Sequence, residues 1–107
     1  MATKPVILKN YVVLEPGVRK RLVIADPRIE EVTIPDPKTK RPKTIRRLVW
    51  TVLEEDGVAV TKYFTVVSEK LAQMLMALWE RRAADRICVE VTVFGVDLAK
   101  DYEVRSC

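Results

Sequence analysis

Residues 45–67 read IRRLVWTVLEEDGVAVTKYFTVV, two β-rich runs on either side of Glu54-Glu55-Asp56-Gly57. Val, Ile, Thr, Tyr, Phe and Trp dominate both runs, and these residue types suit a pleated, half-buried surface. Asp-Gly ahead of a second such run signals a hairpin, because glycine takes a positive φ at no steric cost. The stretch is therefore expected to pair Ile45–Glu54 with Val58–Val67, which makes the chain mainly β. Alternation then assigns the faces. Tyr63 shares a face with Thr61 and Thr65 and is expected to point to solvent. Trp50 runs in phase with Leu48 and Val52, which makes it a candidate for the core as well as for ligand contact.

Downstream, Ser68 is a helix N-cap, able to accept a bond from a free backbone N–H, and Glu69 suits the positive end of the helix dipole. Leu71, Met74, Leu75, Leu78 and Trp79 follow at helical spacing and form one apolar stripe. Ile87–Phe94 then alternates, with Ile87, Val89, Val91 and Val93 opposite Cys88, Glu90 and Thr92. Phe94 is in phase with the second set and is expected to be exposed. Gly95 and Asp97 predict a turn, and Tyr102–Arg105 a short last strand.

Upstream, Val6–Leu14 reads as a strand and Glu15-Pro16-Gly17 as a turn. Val18–Ala25 and Arg28–Ile34 are both extended. They are expected to form one long bent strand with Pro27 at a bulge or edge. Residues 35–44 are expected to be a basic, proline-rich loop in which Pro35, Pro37 and Pro42 exclude regular pairing.

The order is a bent strand (Val18–Ile34), a two-stranded hairpin (Ile45–Glu54, Val58–Val67), a helix, and two strands (Ile87–Phe94, Tyr102–Arg105). This order is similar to that of the OB-fold, a five-stranded Greek-key barrel. The resemblance lies in element order over about residues 18–105. It implies a β-barrel or half-open barrel carrying an extra N-terminal strand, with the amphipathic helix plugging its bottom. A half-open α+β sandwich built from the same elements is the alternative. The resemblance also implies single-stranded nucleic-acid binding on the face of strands two and three, flanked by the loops between strands one and two and between strands four and five.

Composition bounds the rest. A chain of 107 residues, 49% hydrophobic and 32% charged, is expected to be one domain, 1–107, with its core at about 6–105. No apolar run approaches the ~20 residues that cross a bilayer. Val6-Ile7-Leu8 is too short for a secretory core, so a cytoplasmic location is expected. The chain has no histidine and only two cysteines, Cys88 and Cys107. That set removes the usual zinc ligands, the commonest general base and the nucleophilic triads. Gly17, Gly57 and Gly95 each stand alone, so no phosphate loop is formed. The expectation is a protein that is not an enzyme and has no metal or cofactor, with Glu54-Glu55-Asp56 as solvated turn residues. Nothing in the sequence supports a Cys88–Cys107 bridge, and the expected compartment argues against one. Asn10 and Gln73 are the only side-chain amides, against plentiful Lys, Arg and Glu; this pattern suits a hyperthermophile.

Charge is uneven, a net +7 over residues 1–47 and −3 over residues 48–107. The asymmetry points to a polyanionic partner. The expected function is a single-stranded nucleic-acid-binding module, for DNA, of a hyperthermophilic archaeon or its virus. Lys38, Lys40, Arg41, Lys43, Arg46 and Arg47 are the expected phosphate ligands, and Tyr63 and Trp50 the stacking residues. The competing expectation is a non-enzymatic structural subunit that forms homo-oligomers by pairing of edge strands such as Val6–Leu14.

Overall fold

The computed structural model describes residues 10–95 and 100–107. In chain order the elements are β1 (Lys20–Pro35), β2 (Pro42–Glu55), β3 (Val58–Val66), α1 (Glu69–Glu80), β4 (Ile87–Phe94) and β5 (Asp101–Ser106). The strands form one antiparallel sheet in the order β3-β2-β1-β4-β5. The two outermost strands, β3 and β5, do not pair among the described residues, so the sheet is open and compatible with a half-open barrel; mainly β with one helix is the fold class expected from the sequence.

Local chemistry explains the turns. Glu55 faces Val58 across the β2–β3 hairpin, with Asp56 at φ 51° and Gly57 at φ 86°. Positive φ at both central residues matches the twist of the flanking strands. β1 is one strand, as expected, and its pairing with β2 slips between Ala25 and Arg28, where Asp26 adopts φ 55°. The slip inverts the alternation. Ile24 sits opposite Val52 on the core face, whereas four residues later Arg28 sits opposite Val49 on the other face.

Ser68 caps α1 by accepting from the Leu71 N–H at 3.3 Å. The helix turns Leu71 and Leu75 into a core formed by Leu22, Ile24, Leu48, Trp50, Val52, Phe64, Val66, Val89 and Val91. It packs against β3 and β5, the two strands that leave the sheet open. Trp79 meets Trp50 edge to face, ring centroids 5.6 Å apart.

Of the expected Val6–Leu14 strand, residues 6–9 lie outside the described residues, as does Asp97 of the expected turn. The rest makes one parallel bridge, Tyr11 to Tyr63. The Val12 N–H donates to the Tyr63 carbonyl at 2.9 Å and the Tyr63 N–H to the Asn10 carbonyl at 2.6 Å. This covers part of the edge of β3 and seats Val12 in the core.

Two expectations are corrected. The 35–44 loop is shorter than the prolines suggested, because β1 and β2 stay paired out to Pro35 opposite Pro42. Proline is tolerated at the end of a ladder, where its missing N–H is not needed. The turn that remains is organised by Asp36. Its carbonyl accepts from the Lys40 N–H at 2.7 Å and its carboxylate from the Lys38 N–H at 2.8 Å. The second correction is that Cys88 and Cys107 form a disulfide, with Cα atoms 5.1 Å apart. The Cys107 N–H also donates to the Cys88 carbonyl at 3.0 Å. β5 returns antiparallel along β4, and this brings the far end of the chain back beside Cys88, an arrangement that spacing alone does not reveal.

No described helix is long and apolar enough to cross a membrane.

Candidate nucleic-acid interface

The core takes Leu48, Trp50 and Val52 from β2, so period-two alternation sends Arg47, Val49 and Thr51 to the opposite, outer face. β1 adds Arg28 and Glu30, which pair with Val49 and Arg47, and β3 adds Tyr63 and Thr65, next to Thr51 and Val49. Tyr11 completes the group from the N-terminal segment. All of these but Thr51 line a depression of about 190 Å³.

Tyr63 lies there with 36% of its surface exposed, pointing to solvent as its phase predicts. The Arg28 guanidinium carbon sits 5.5 Å from the Tyr63 ring centroid, a cation–π distance. Tyr11 flanks the same ring at 6.2 Å, tilted by 48°. Arg28 is aimed by hydrogen bonds from Nη1 to the Asp26 carbonyl (3.0 Å) and to Thr51 Oγ1 (3.2 Å). Arg47 Nη2 donates to Glu30 Oε1 at 3.1 Å, and Glu30 Oε2 lies 3.9 Å from Arg28 Nε. Arg28 Nη1 also lies 3.4 Å from Asp26 Oδ2, so two carboxylates serve the two guanidiniums. Two buried polar atoms of residues lining the depression, Arg47 Nε and Thr65 Oγ1, have no hydrogen-bonding partner among the described residues. Chemically this is a guanidinium pair beside an aromatic face, suited to a phosphate and a flat base.

The expected site residues separate into four groups. Tyr63 and Arg47 come together on the outer face. Arg46 does not join them. Adjacent residues of a strand face opposite ways, and Arg46 lines a second depression, which Arg47 also borders, with Glu69 and Gln73 of α1. Lys38, Lys40, Arg41 and Lys43 are exposed at the far end of the β1–β2 pair. Among the described residues, they and Arg46 make no ion pair. Trp50 is corrected outright, since it is fully buried under Trp79 and has no face for a ligand. Arg28, Tyr11, Glu30 and Thr65 were not anticipated. Thr65 was legible from its shared phase with Tyr63. Arg28 and Glu30 were hidden by the slip at Asp26-Pro27, and Tyr11 reaches the site only through a long-range bridge.

The turn carboxylates are structural. Glu55 binds Lys20 at 2.7 Å and also Lys62, while Lys20 reaches Asp56 at 3.2 Å. Burial pushes the Glu55 carboxyl up, but the bonds from Lys20 and Lys62 outweigh it and leave the group below its ordinary range. Asp56 is held low first by the Arg21 backbone N–H. The bond to Glu55 raises Lys20. No family model, no curated protein and no solved structure matches this chain.

Proposed function

We propose that this chain is a single-stranded nucleic-acid-binding module, for DNA, that acts by binding alone and not as an enzyme. The observation that carries the reading is Tyr63, an exposed ring on the same face as Arg28 and Arg47. A base stacks on that ring while the guanidiniums neutralise the adjoining phosphates. The strand then runs along the outer face toward Lys43 and the cations of the turn. The strand order and single helix agree with the OB-like element order, in which strands two and three carry the ligand. A cytoplasmic hyperthermophilic archaeon, or its virus, is the proposed source. A disulfide inside a cytoplasmic protein and networked ion pairs around Glu55 suit such a host.

Fluorescence anisotropy with a labelled single strand at two salt concentrations tests the reading. Tyr63→Ala is expected to cost about 1–3 kcal/mol of binding. Arg47→Ala is expected to flatten the salt dependence by about 0.7 in log–log slope, the value for one phosphate on a single strand. Absence of binding at low salt overturns the reading.

A second reading, a structural subunit that assembles through edge strands, is supported by β5, which pairs only with β4 among the described residues. Light scattering separates the two, since a stable oligomer that ignores oligonucleotides supports the second.

A further inference from the structure

We propose that the outer part of the β1–β2 pair is an arm that enters the major groove of B-form duplex DNA, beside the single strand held on the sheet. This rests on the single-strand reading for the second half of the ligand only.

The arm follows from the register. β4 pairs with β1 only from Lys20 to Ile24, and β3 pairs with β2 only from Leu48 inward. Glu30–Pro35 and Pro42–Arg47 therefore pair in the sheet only with each other. A two-stranded ribbon alone is marginal in water. This one is stiffened by the Arg47–Glu30 bond at its base, a Thr33–Thr44 hydroxyl contact of 3.3 Å midway, and the Asp36-centred turn at its end. It adds little to the core, since Ile29 and Ile34 remain 56% and 38% exposed.

The dimensions fit a groove. Paired strands lie about 4.8 Å apart, and with side chains the ribbon approaches the roughly 12 Å width of the B-DNA major groove, which admits a two-stranded ribbon. At about 3.3 Å per residue, Glu30–Pro35 extends roughly 20 Å, enough to pass the groove's depth of about 8.5 Å. The minor groove, about 6 Å wide, is too narrow.

The charges discriminate further. The arm carries Lys38, Lys40, Arg41, Lys43, Arg46 and Arg47 against Glu30, Glu31 and Asp36. Glu30 is taken by Arg47 and Asp36 is engaged in its own turn. Glu31 lies opposite Arg46 in register, yet the two form no ion pair among the described residues. By alternation along β2, Arg47 and Lys43 share the outer face and Arg46 faces the other way. A single strand on the outer face meets only the first set. A groove has phosphates on both walls, so a ribbon within it uses cations on both faces. A-form RNA presents a deep, narrow major groove that side chains do not read, so the arm selects DNA.

The test uses the full chain and anisotropy with four probes. These are a single DNA strand, a blunt DNA duplex, a DNA duplex with a single-stranded overhang, and the same overhang probe in RNA. The DNA overhang probe is expected to bind at least tenfold tighter than the single strand and tenfold tighter than its RNA counterpart. Arg46→Ala is expected to weaken both DNA duplex probes about tenfold and leave single-strand affinity within twofold, with circular dichroism unchanged. Tyr63→Ala does the reverse, weakening the single strand and sparing the blunt duplex. The proposal is overturned if the duplex adds no affinity, if RNA binds equally, or if Arg46→Ala leaves the duplex probes unaffected. Duplex binding without single-strand binding removes the single-strand reading and leaves the arm; single-strand binding to which the duplex adds nothing removes the arm and leaves that reading.

Discussion

The same two strands pass through two environments. In the body, β2 sits between β1 and β3 with α1 below it, and Leu48, Trp50 and Val52 are buried. In the arm the same strands have no third neighbour, and Ile34, Thr44 and Lys43 stand in solvent. Strand propensity is similar in both halves, since Val32, Thr33, Ile34, Thr44 and Ile45 are as β-favouring as the residues around Trp50. The difference teaches that a third strand and a helix, rather than local sequence preference, convert an extended segment into core. The body carries the stability and the arm is left free to carry charge.

Trp50→Ala probes that contrast most strongly. It is expected to cost about 3–5 kcal/mol in urea unfolding, because it opens a void beneath Trp79. Ile34→Ala on the arm is expected to cost only about 0.5 kcal/mol. Equal losses break the division into body and arm. Next comes the covalent tie that the body has and the arm lacks. Cys88 and Cys107 are 19 residues apart and enclose β5, so Cys107→Ser is expected to remove about 3 kcal/mol. The loss is read as a gap between oxidised and reduced samples that closes in the variant.

The smallest effect concerns the Glu55 cluster at the end of the body opposite the arm. Glu55→Gln is expected to cost about 1–2 kcal/mol at neutral pH. Glu55 and Asp56 are held below their ordinary range, so their contribution is complete above about pH 4.5 and is lost as pH falls through the lowered values. Lys20 is raised, so its contribution is complete below its ordinary 10.5 and fades as pH rises beyond it. Melts of Glu55→Gln and the parent chain are expected to converge once the pH has fallen through the lowered titration of Glu55. A difference that persists there shows that packing, and not charge, is what the substitution removes.

Much of the fold was legible because its signals are local. Asp56-Gly57 fixed the hairpin, Ser68 the helix start, and alternation the outward turn of Tyr63. What escaped depends on contacts distant in sequence. The disulfide needs β5 laid along β4, and the place of Tyr11 needs a bridge to Tyr63. The end of the arm looks like loop in the sequence because Pro35 and Pro42 mask a ladder that closes between them. The candidate site was half legible. Tyr63 and Arg47 do come together on one face, whereas Trp50, tied by its phase to Leu48 and Val52, lies in the core.

The slip at Asp26-Pro27 has a consequence of parity. Up to Ala25 the odd-numbered residues of β1 face outward, and from Arg28 the even-numbered ones do. A ladder that ran straight through Asp26-Pro27, pairing every residue without the slip, would exchange the two sides of the outer segment of β1. Pro27 and Ile29 would then stand opposite Val49 and Arg47 in place of Arg28 and Glu30, and Arg28 would turn inward toward α1, while every contact up to Ala25 kept its place. Two residues outside the depression thus decide which half of a charged strand is presented to it.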